Sequence, residues 1–244
     1  MTGIDITVCM PCYLKDRKDE YLFQQAASSM LQQHADGFSF ELLVIDDGSV
    51  VKPEISKEHA KVRIIRFEGN RGLVSSCNTG LTEARGRYFV RFDADDYAMP
   101  YMLRDLYANF YMFNKPFLAT TDYLIHEMDG SFTSVLLSDT GAFSETVDDN
   151  LVLSMQACGV MYETERLKEI GGYRDFFYEE HDLHFRCQKA GWWFSNVRSA
   201  GWIYRQRQDS MTADWHRRVE GCKELEREWG SEKVKLLARR LGII

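Results

Sequence analysis

Tyr88-Phe89-Val90-Arg91-Phe92-Asp93-Ala94-Asp95-Asp96 is a β-like apolar run that ends in three acidic residues within four positions. A strand has a side-chain period of two, which predicts Asp93 and Asp95 on one side and Asp96 turned into the following loop. Carboxylates this close repel one another unless a positive charge lies between them. A hard divalent cation, Mg2+ or Mn2+, suits the cluster, because it takes oxygen ligands, keeps several waters and bridges carboxylates to phosphate. One acidic residue would suffice to favour the start of the helix expected beyond Pro100, so three of them favour a metal site.

The elements that must position this cluster follow from hydrophobic periodicity. Ile4 to Met10 reads as a strand stopped by Pro11. A charged loop from Lys15 to Glu20 follows, then a helix over Tyr21 to Gln33 with Leu22, Phe23, Ala26, Ala27, Met30 and Leu31 on one face. Phe40 to Ile45 and Val62 to Phe67 read as strands, Leu73 to Ala84 as a helix ended by Gly86, and Tyr88 to Phe92 as a strand. Near-continuous apolar strands alternating with helices predict an α/β fold with a mostly parallel sheet covered on both faces. In such sheets ligands bind beyond the carboxyl ends of the strands, where Tyr13, Asp46, Asp47, Arg71, Asp93, Asp95 and Asp96 should converge.

The second half is less regular. Tyr101 to Phe113 reads as an aromatic-rich helix, and Phe117 to Ile125 with Ser131 to Leu137 as a hairpin around Asp129-Gly130. Ser138 to Asn150 reads as a polar loop. Beyond it come a short strand over Cys158 to Tyr162 and helices over Glu163 to Glu169 and Glu180 to Lys189. Two extended pieces, Trp192 to Val197 and Gly201 to Tyr204, precede a loop over Arg205 to Thr212. The charged tail is helix-prone, with Leu225, Trp229, Val234, Leu236 and Leu237 as its packing stripe.

The 244 residues are enough for one large α/β domain with a sizeable core. The formal charge of −7 offers no basic field for a nucleic-acid backbone. With no long uncharged apolar stretch and no basic-then-apolar leader, the expectation is a cytoplasmic enzyme. Six cysteines stand singly apart from Cys9-Met10-Pro11-Cys12, which lacks a second pair to complete a zinc site, so all six are expected as reduced thiols.

Taken in order, Val8-Cys9-Met10-Pro11-Cys12-Tyr13, Leu43-Val44-Ile45-Asp46-Asp47-Gly48-Ser49, Asn70-Arg71-Gly72 with Cys77-Asn78-Thr79-Gly80, Phe92-Asp93-Ala94-Asp95-Asp96, Gly171-Gly172-Tyr173 and Tyr178-Glu179-Glu180-His181-Asp182-Leu183 resemble the family 2 glycosyltransferases. The resemblance implies a GT-A, Rossmann-like fold and inverting sugar transfer from a nucleotide-diphosphate donor, most readily a UDP-sugar. It implies a nucleotide-sugar-binding half over 1–100, an acceptor-binding and catalytic-base half over 101–212 and a helical tail over 213–244. Mn2+ or Mg2+ would sit at Asp95 first, with Asp93 and Asp96 sharing the roles of ribose contact and further ligand. Donor contacts would come from Pro11, Tyr13, Asp47, Arg71, Asn78, Asp93, Asp95, Arg205 and Arg207.

The base that deprotonates the acceptor hydroxyl is, in relatives, the Asp of a Glu-Asp pair. Here the pair reads Glu179-Glu180, which carries the role to Glu180 with Asp182 as competitor. Two further departures stand out: Cys77 where many relatives have Arg, and Arg207 where many have His. Arginine cannot ligate a metal, so Arg207 is expected on phosphate oxygens. Trp192, Trp193 and Trp202 are expected chiefly as core, with a sugar platform as the alternative.

Two other classes stay in view. A nucleotidyltransferase shares the acidic metal site but would carry a glycine- and basic-rich loop after its first strand, which Pro11-Cys12-Tyr13-Leu14 lacks. A non-catalytic sugar-nucleotide-binding protein on a degenerate fold is the other. The acceptor is a saccharide, a lipid-linked species or another hydroxyl; the acidic charge disfavours nucleic acid, and a lipid-linked acceptor would require peripheral association with the inner membrane. A homodimer is left open.

Overall fold

β1 (Ile6–Cys12) and β2 (Phe40–Asp46) are buried along their whole length, which is why they read as unbroken apolar runs. They pair in parallel, with Ile6 opposite Phe40 and Cys12 opposite Asp46. β1 continues through Pro11 instead of stopping there. The Cys9 carbonyl accepts from the Phe92 N–H, and backbone groups alternate sides along a strand. The N–H that Pro11 lacks therefore faces the side of β4 (Tyr88–Arg91), beyond the last β1–β4 pair at Cys9 and Arg91. The loss of a donor costs no ladder bond there.

The computed structural model describes residues 3–55, 61–110, 117–137, 149–240 and 242–243. Between the first strands run α1 (Arg17–Leu31) and α2 (Leu73–Glu83), and β3 (Val62–Arg66) forms the edge beside β2. α1 begins inside the expected charged loop, because Asp16 caps it by accepting from the Lys18 and Asp19 N–H groups. Then come β5 (Tyr97–Ala98), α3 (Met102–Phe110), β6 (Phe117–His126), β7 (Phe132–Val135), α4 (Asp149–Ser154), β8 (Val160–Glu163), α5 (Thr164–Glu169), α6 (Glu179–Lys189) and β9 (Trp193–Arg205). α7 (Trp215–Trp229) and α8 (Ser231–Arg240) close the chain.

One sheet runs in the order β3-β2-β1-β4-β8-β6-β9-β5, with β7 on β6. Its first four strands are parallel, and the second half mixes parallel β6–β9 with antiparallel β4–β8, β6–β8 and β5–β9 pairs. The two extended pieces expected around residues 192–204 are one strand, β9. Its register against β6 slips between Thr121 and Tyr123, where Val197, Ala200 and Trp202 meet three successive partners. That irregularity is what makes the sequence look interrupted. Of the expected loop over 138–150, Asp149 and Asn150 belong to α4 and the rest lies outside the described residues, as do 111–113 of the expected long helix.

All six cysteines are free and buried. The tail packs as its stripe predicts: Leu225, Val234 and Leu237 are buried, and Trp229 lies 5.4 Å from the Phe185 ring of α6. Among the described residues no helix is long and apolar enough to cross a membrane.

Candidate active site

The carboxyl ends of β1, β2 and β4 open on one cleft of about 430 Å³. Four sequence clusters meet there. Pro11 and Tyr13 come from the end of β1, Asp47 from the end of β2, Asp93, Asp95 and Asp96 from beyond β4, and Glu179 with Glu180 from the start of α6; Arg205 and Arg207 complete the wall.

At one end Tyr13 is 39% exposed, which leaves it able to stack on a planar ligand. Asp47 turns inward and accepts the Arg71 N–H at 2.6 Å and the Gly72 N–H at 2.9 Å, so it pins the 70–72 loop while still lining the cleft. Each of its oxygens retains a second lone pair for a ligand donor. The turn needs Gly48 at φ 72°, since a Cβ there would lie 2.6 Å from the Gly69 backbone. Arg71 stacks its guanidinium on Phe67, 4.5 Å from the ring, and lines a neighbouring recess with Asp175 and Phe176 instead of the cleft itself.

The strand period does not extend through the acidic cluster, because β4 ends at Arg91 and residues 94–96 form a turn, closed by the Asp96 N–H on the Asp93 carbonyl. The turn brings Asp96 to Asp93, while Asp95 stays close enough for Asp93 to repel it. With the Cys158 thiol, Asp93 and Asp96 place three ligand atoms within 4.8 Å of one another. Asp96 is buried and accepts from the Arg205 N–H at 3.0 Å and from Cys158 Sγ at 3.4 Å. Burial first, then the charge of Asp95 and Asp93, pushes the Asp96 carboxyl well above the carboxylate range; partial burial and then Asp93 raise Asp95, whose side chain keeps an exposed edge. A group of hard oxygen donors that burial and mutual repulsion destabilise is a set that a divalent cation relieves, so these residues fit Mn2+ or Mg2+.

Two arginines already share that charge. Arg91, buried at the end of β4, donates from Nε to Asp93 at 2.8 Å and from Nη1 to Glu179 at 2.5 Å, joining the acidic cluster to α6. Arg207 reaches Asp95 at 3.2 Å. Arg205 sends its side chain away from the acids, to Gln25 at 2.7 Å, and only its backbone serves Asp96.

At the start of α6 two adjacent carboxyls are driven apart. Burial and the neighbouring Glu180 charge raise Glu179 to about 7 against the pull of Arg91. Burial also acts to raise Glu180, but the charges of His181 and Arg91 outweigh it and bring Glu180 to about 2. His181 Nδ1 stands 3.2 Å from Glu180 Oε1, an ion-pair distance without hydrogen-bond alignment.

Asp182 does not reach the cleft. It is fully buried among Arg174, Arg186 at 2.9 Å and the Trp229 indole N–H at 3.0 Å. Asn78 is also elsewhere: its amide donates to the Tyr173 carbonyl at 2.8 Å and accepts the Tyr173 N–H at 2.9 Å, tying α2 to the Gly171-Gly172-Tyr173 loop. Trp192 and Trp202 are buried, as expected of core residues, although Trp202 stacks on Tyr123 with one edge on the cleft.

Sequence reasoning passes over Arg91, Cys158 and Glu179. For Arg91 the signal is present, an arginine inside an apolar strand, since a buried guanidinium must have carboxylate partners. Nothing local marks Cys158, whose partners lie 62 and 65 residues away.

Residues 7–120 match the model of the family described as Glycosyl transferase family 2. Among curated proteins, an uncharacterized glycosyltransferase of Haemophilus influenzae is 37% identical over 86 residues, 33% of this chain and 26% of that protein. A dolichyl-phosphate beta-glucosyltransferase of Drosophila melanogaster is 29% identical over 102 residues, 38% of this chain and 31% of that protein. The chain thus spans only a part of the length of these relatives. Among solved structures, residues 1–349 of S. aureus TarS in complex with UDP-GlcNAc superimpose with a TM-score of 0.71 at 16% identity, over 97% of this chain and 71% of that one. With its ordered strand-end clusters, its GT-A-like sheet and the match over residues 7–120, the chain is similar to glycosyl transferase family 2 over its first half.

Proposed function

We propose that this protein moves a glycosyl group from a UDP-sugar to an acceptor hydroxyl by a single inverting displacement. The observation that carries the reading is the convergence on one cleft of an exposed Tyr13 and a largely buried Asp47, an acidic cluster at Asp93, Asp95 and Asp96, and a carboxylate at Glu180. Tyr13 and Asp47 receive the base, one by stacking and the other by accepting an imide N–H. Asp93, Asp95 and Asp96 would hold Mn2+ or Mg2+, which when bound supplies Lewis-acid neutralisation of the departing diphosphate. Glu180, ionised at neutral pH, accepts the proton of the acceptor hydroxyl as it attacks the anomeric carbon. Arg91 keeps Glu179, and with it the first turn of α6, at a set distance from the acidic cluster. Asp182 serves the packing of α6 against α7 and takes no part in the chemistry.

A thermal-shift panel of UDP, GDP, dTDP, CDP and ADP, each with Mn2+, Mg2+ or EDTA, tests the donor side. A ligand at about 100 times its Kd adds about 2.7 kcal/mol of stability. UDP is expected to raise the melting temperature only with metal, and no response to any nucleotide would count against the reading.

One observation favours a second reading, a sugar-nucleotide-binding protein without turnover. A carboxylate held near 2 is a weak proton acceptor. Turnover of intact donor in the presence of candidate acceptors separates the two.

A further inference from the structure

Arg207 leaves the end of β9 and crosses the mouth of the cleft. Its Nη1 lies 3.2 Å from Asp95 Oδ2, its Nη2 donates to Asp19 Oδ1 and Asp209 Oδ2 at 2.8 Å each, and its Nε donates to Asp209 Oδ1 at 2.9 Å. The Arg207 side chain is 13% exposed, against 37% for that of Asp95 and 48% for that of Asp209. An arginine is permanently charged and cannot ligate a metal. Where it rests, it supplies Asp95 with the positive charge that a cation would otherwise bring.

The other two arginines of the cleft are fixed. Arg91 is buried between Asp93 and Glu179, and Arg205 is engaged with Gln25. Arg207 differs in that two of its three carboxylate partners are solvent-accessible, so its contacts are the ones that exchange most readily. A diphosphate presents planar guanidinium groups with anionic oxygens at least as suitable as a carboxylate.

We propose that Arg207 is a positioning residue that couples cation binding to diphosphate binding. In the free protein it occupies Asp95 and weakens the hold on the cation. When a nucleoside diphosphate enters, the guanidinium transfers to phosphate oxygens and Asp95 is released to the metal. The inference rests on the cation reading of Asp95 given above and adds the order of events: the metal is held firmly only together with the diphosphate. Linkage makes the effect reciprocal, so the metal strengthens diphosphate binding by the same factor.

The test is Mn2+ binding, by calorimetry or by the electron-paramagnetic signal of the free ion, with and without saturating UDP. The proteins are the wild type, Arg207→Gln, Arg207→Lys and Asp95→Asn. In the wild type UDP should tighten Mn2+ binding by at least about 10-fold, within the usual range of coupling between sites. Arg207→Gln should bind Mn2+ alone about 10-fold more tightly than the wild type, with the UDP effect shrunk by a similar factor. Arg207→Lys retains the charge without the fork, and it should fall between them; it decides the matter if the glutamine variant does not fold. An unchanged UDP effect in both Arg207 variants, with Asp95→Asn still abolishing Mn2+ binding, would overturn the coupling and leave the cation reading standing. No Mn2+ binding by the wild type with or without UDP would overturn both.

Discussion

Replacing Asp182 by asparagine keeps the volume of the side chain and removes the charge that gathers Arg174, Arg186 and the Trp229 indole at the foot of α6. Asp182 is fully buried and the Arg186 guanidinium is 12% exposed, so that half of the network is a desolvated ion pair; Arg174 at 38% exposure contributes less. Breaking a buried pair costs about 3–5 kcal/mol, and the amide oxygen that remains as an acceptor brings the expectation to about 3 kcal/mol. In a chain of this size each kcal/mol moves the melting temperature by about 2–4 °C, so Asp182→Asn should melt about 6–12 °C lower.

Glu180→Gln should do the opposite. Among the described residues its ion-pair partner is His181, which is not aligned for a hydrogen bond, so melting should move by no more than about 4 °C. Loss of the proton acceptor should lower kcat by at least about 10²-fold. The assay pairs calorimetric melting with UDP release from UDP-GlcNAc, the nucleotide sugar named with the TarS complex. An Asp182→Asn protein that melts like the wild type yet has lost its rate, beside a fully active Glu180→Gln, would refute the reasoning and make Asp182 the base.

Other perturbations give separate readouts. Glu179 is raised to about 7 by burial and then by Glu180, and a carboxyl with a raised folded value stabilises the fold below its ordinary value of about 4.5 and loses that contribution as pH climbs to about 7. Glu179→Gln should remove this decline, so the wild-type melting temperature should fall relative to the variant across that window, and a constant difference would count against it. Asn78→Ala leaves the Tyr173 N–H and carbonyl without their partner and should cost about 1–3 kcal/mol with UDP binding unchanged; weakened UDP binding in a stably folded variant would return Asn78 to the donor site. Gly80→Ala places a Cβ 2.1 Å from Cys9 Sγ, between α2 and β1, and should destabilise by about 1–3 kcal/mol in urea titration, whereas a neutral effect would show that α2 can slide.

Much of the first half of the chain is legible from residue order. A strand buried on both faces must be apolar along its length, and polar clusters that stop it must sit where the sheet ends. Asp47, Tyr13 and the three acids beyond β4 therefore reach one cleft, and the charged N-terminus of α6 joins them. Two features are harder to read, one in each half of the chain. β9 hides its continuity behind a register slip at Thr121 to Tyr123, and Pro11 sits in a strand because the neighbour it would have failed ends at Arg91.

What the chain determines by itself is local: which segments alternate, where they stop and which charges stand at the stops. What only tertiary structure decides is which of those charges meet. Glu180 and Asp182 are two residues apart, hence about 200° apart around a helix, and nothing in their types says which faces the cleft. The packing of α7 resolves it, by placing Trp229 against Asp182 and leaving Glu180 on the cleft wall. In the same way, the turn after β4 brings Asp93 to Asp96 and the distant Cys158, while Arg91 and Arg207 divide between them the positive charge that the three acids require. Electrostatic complementarity is a property of distances, and distances between residues far apart in sequence exist only once the chain has folded.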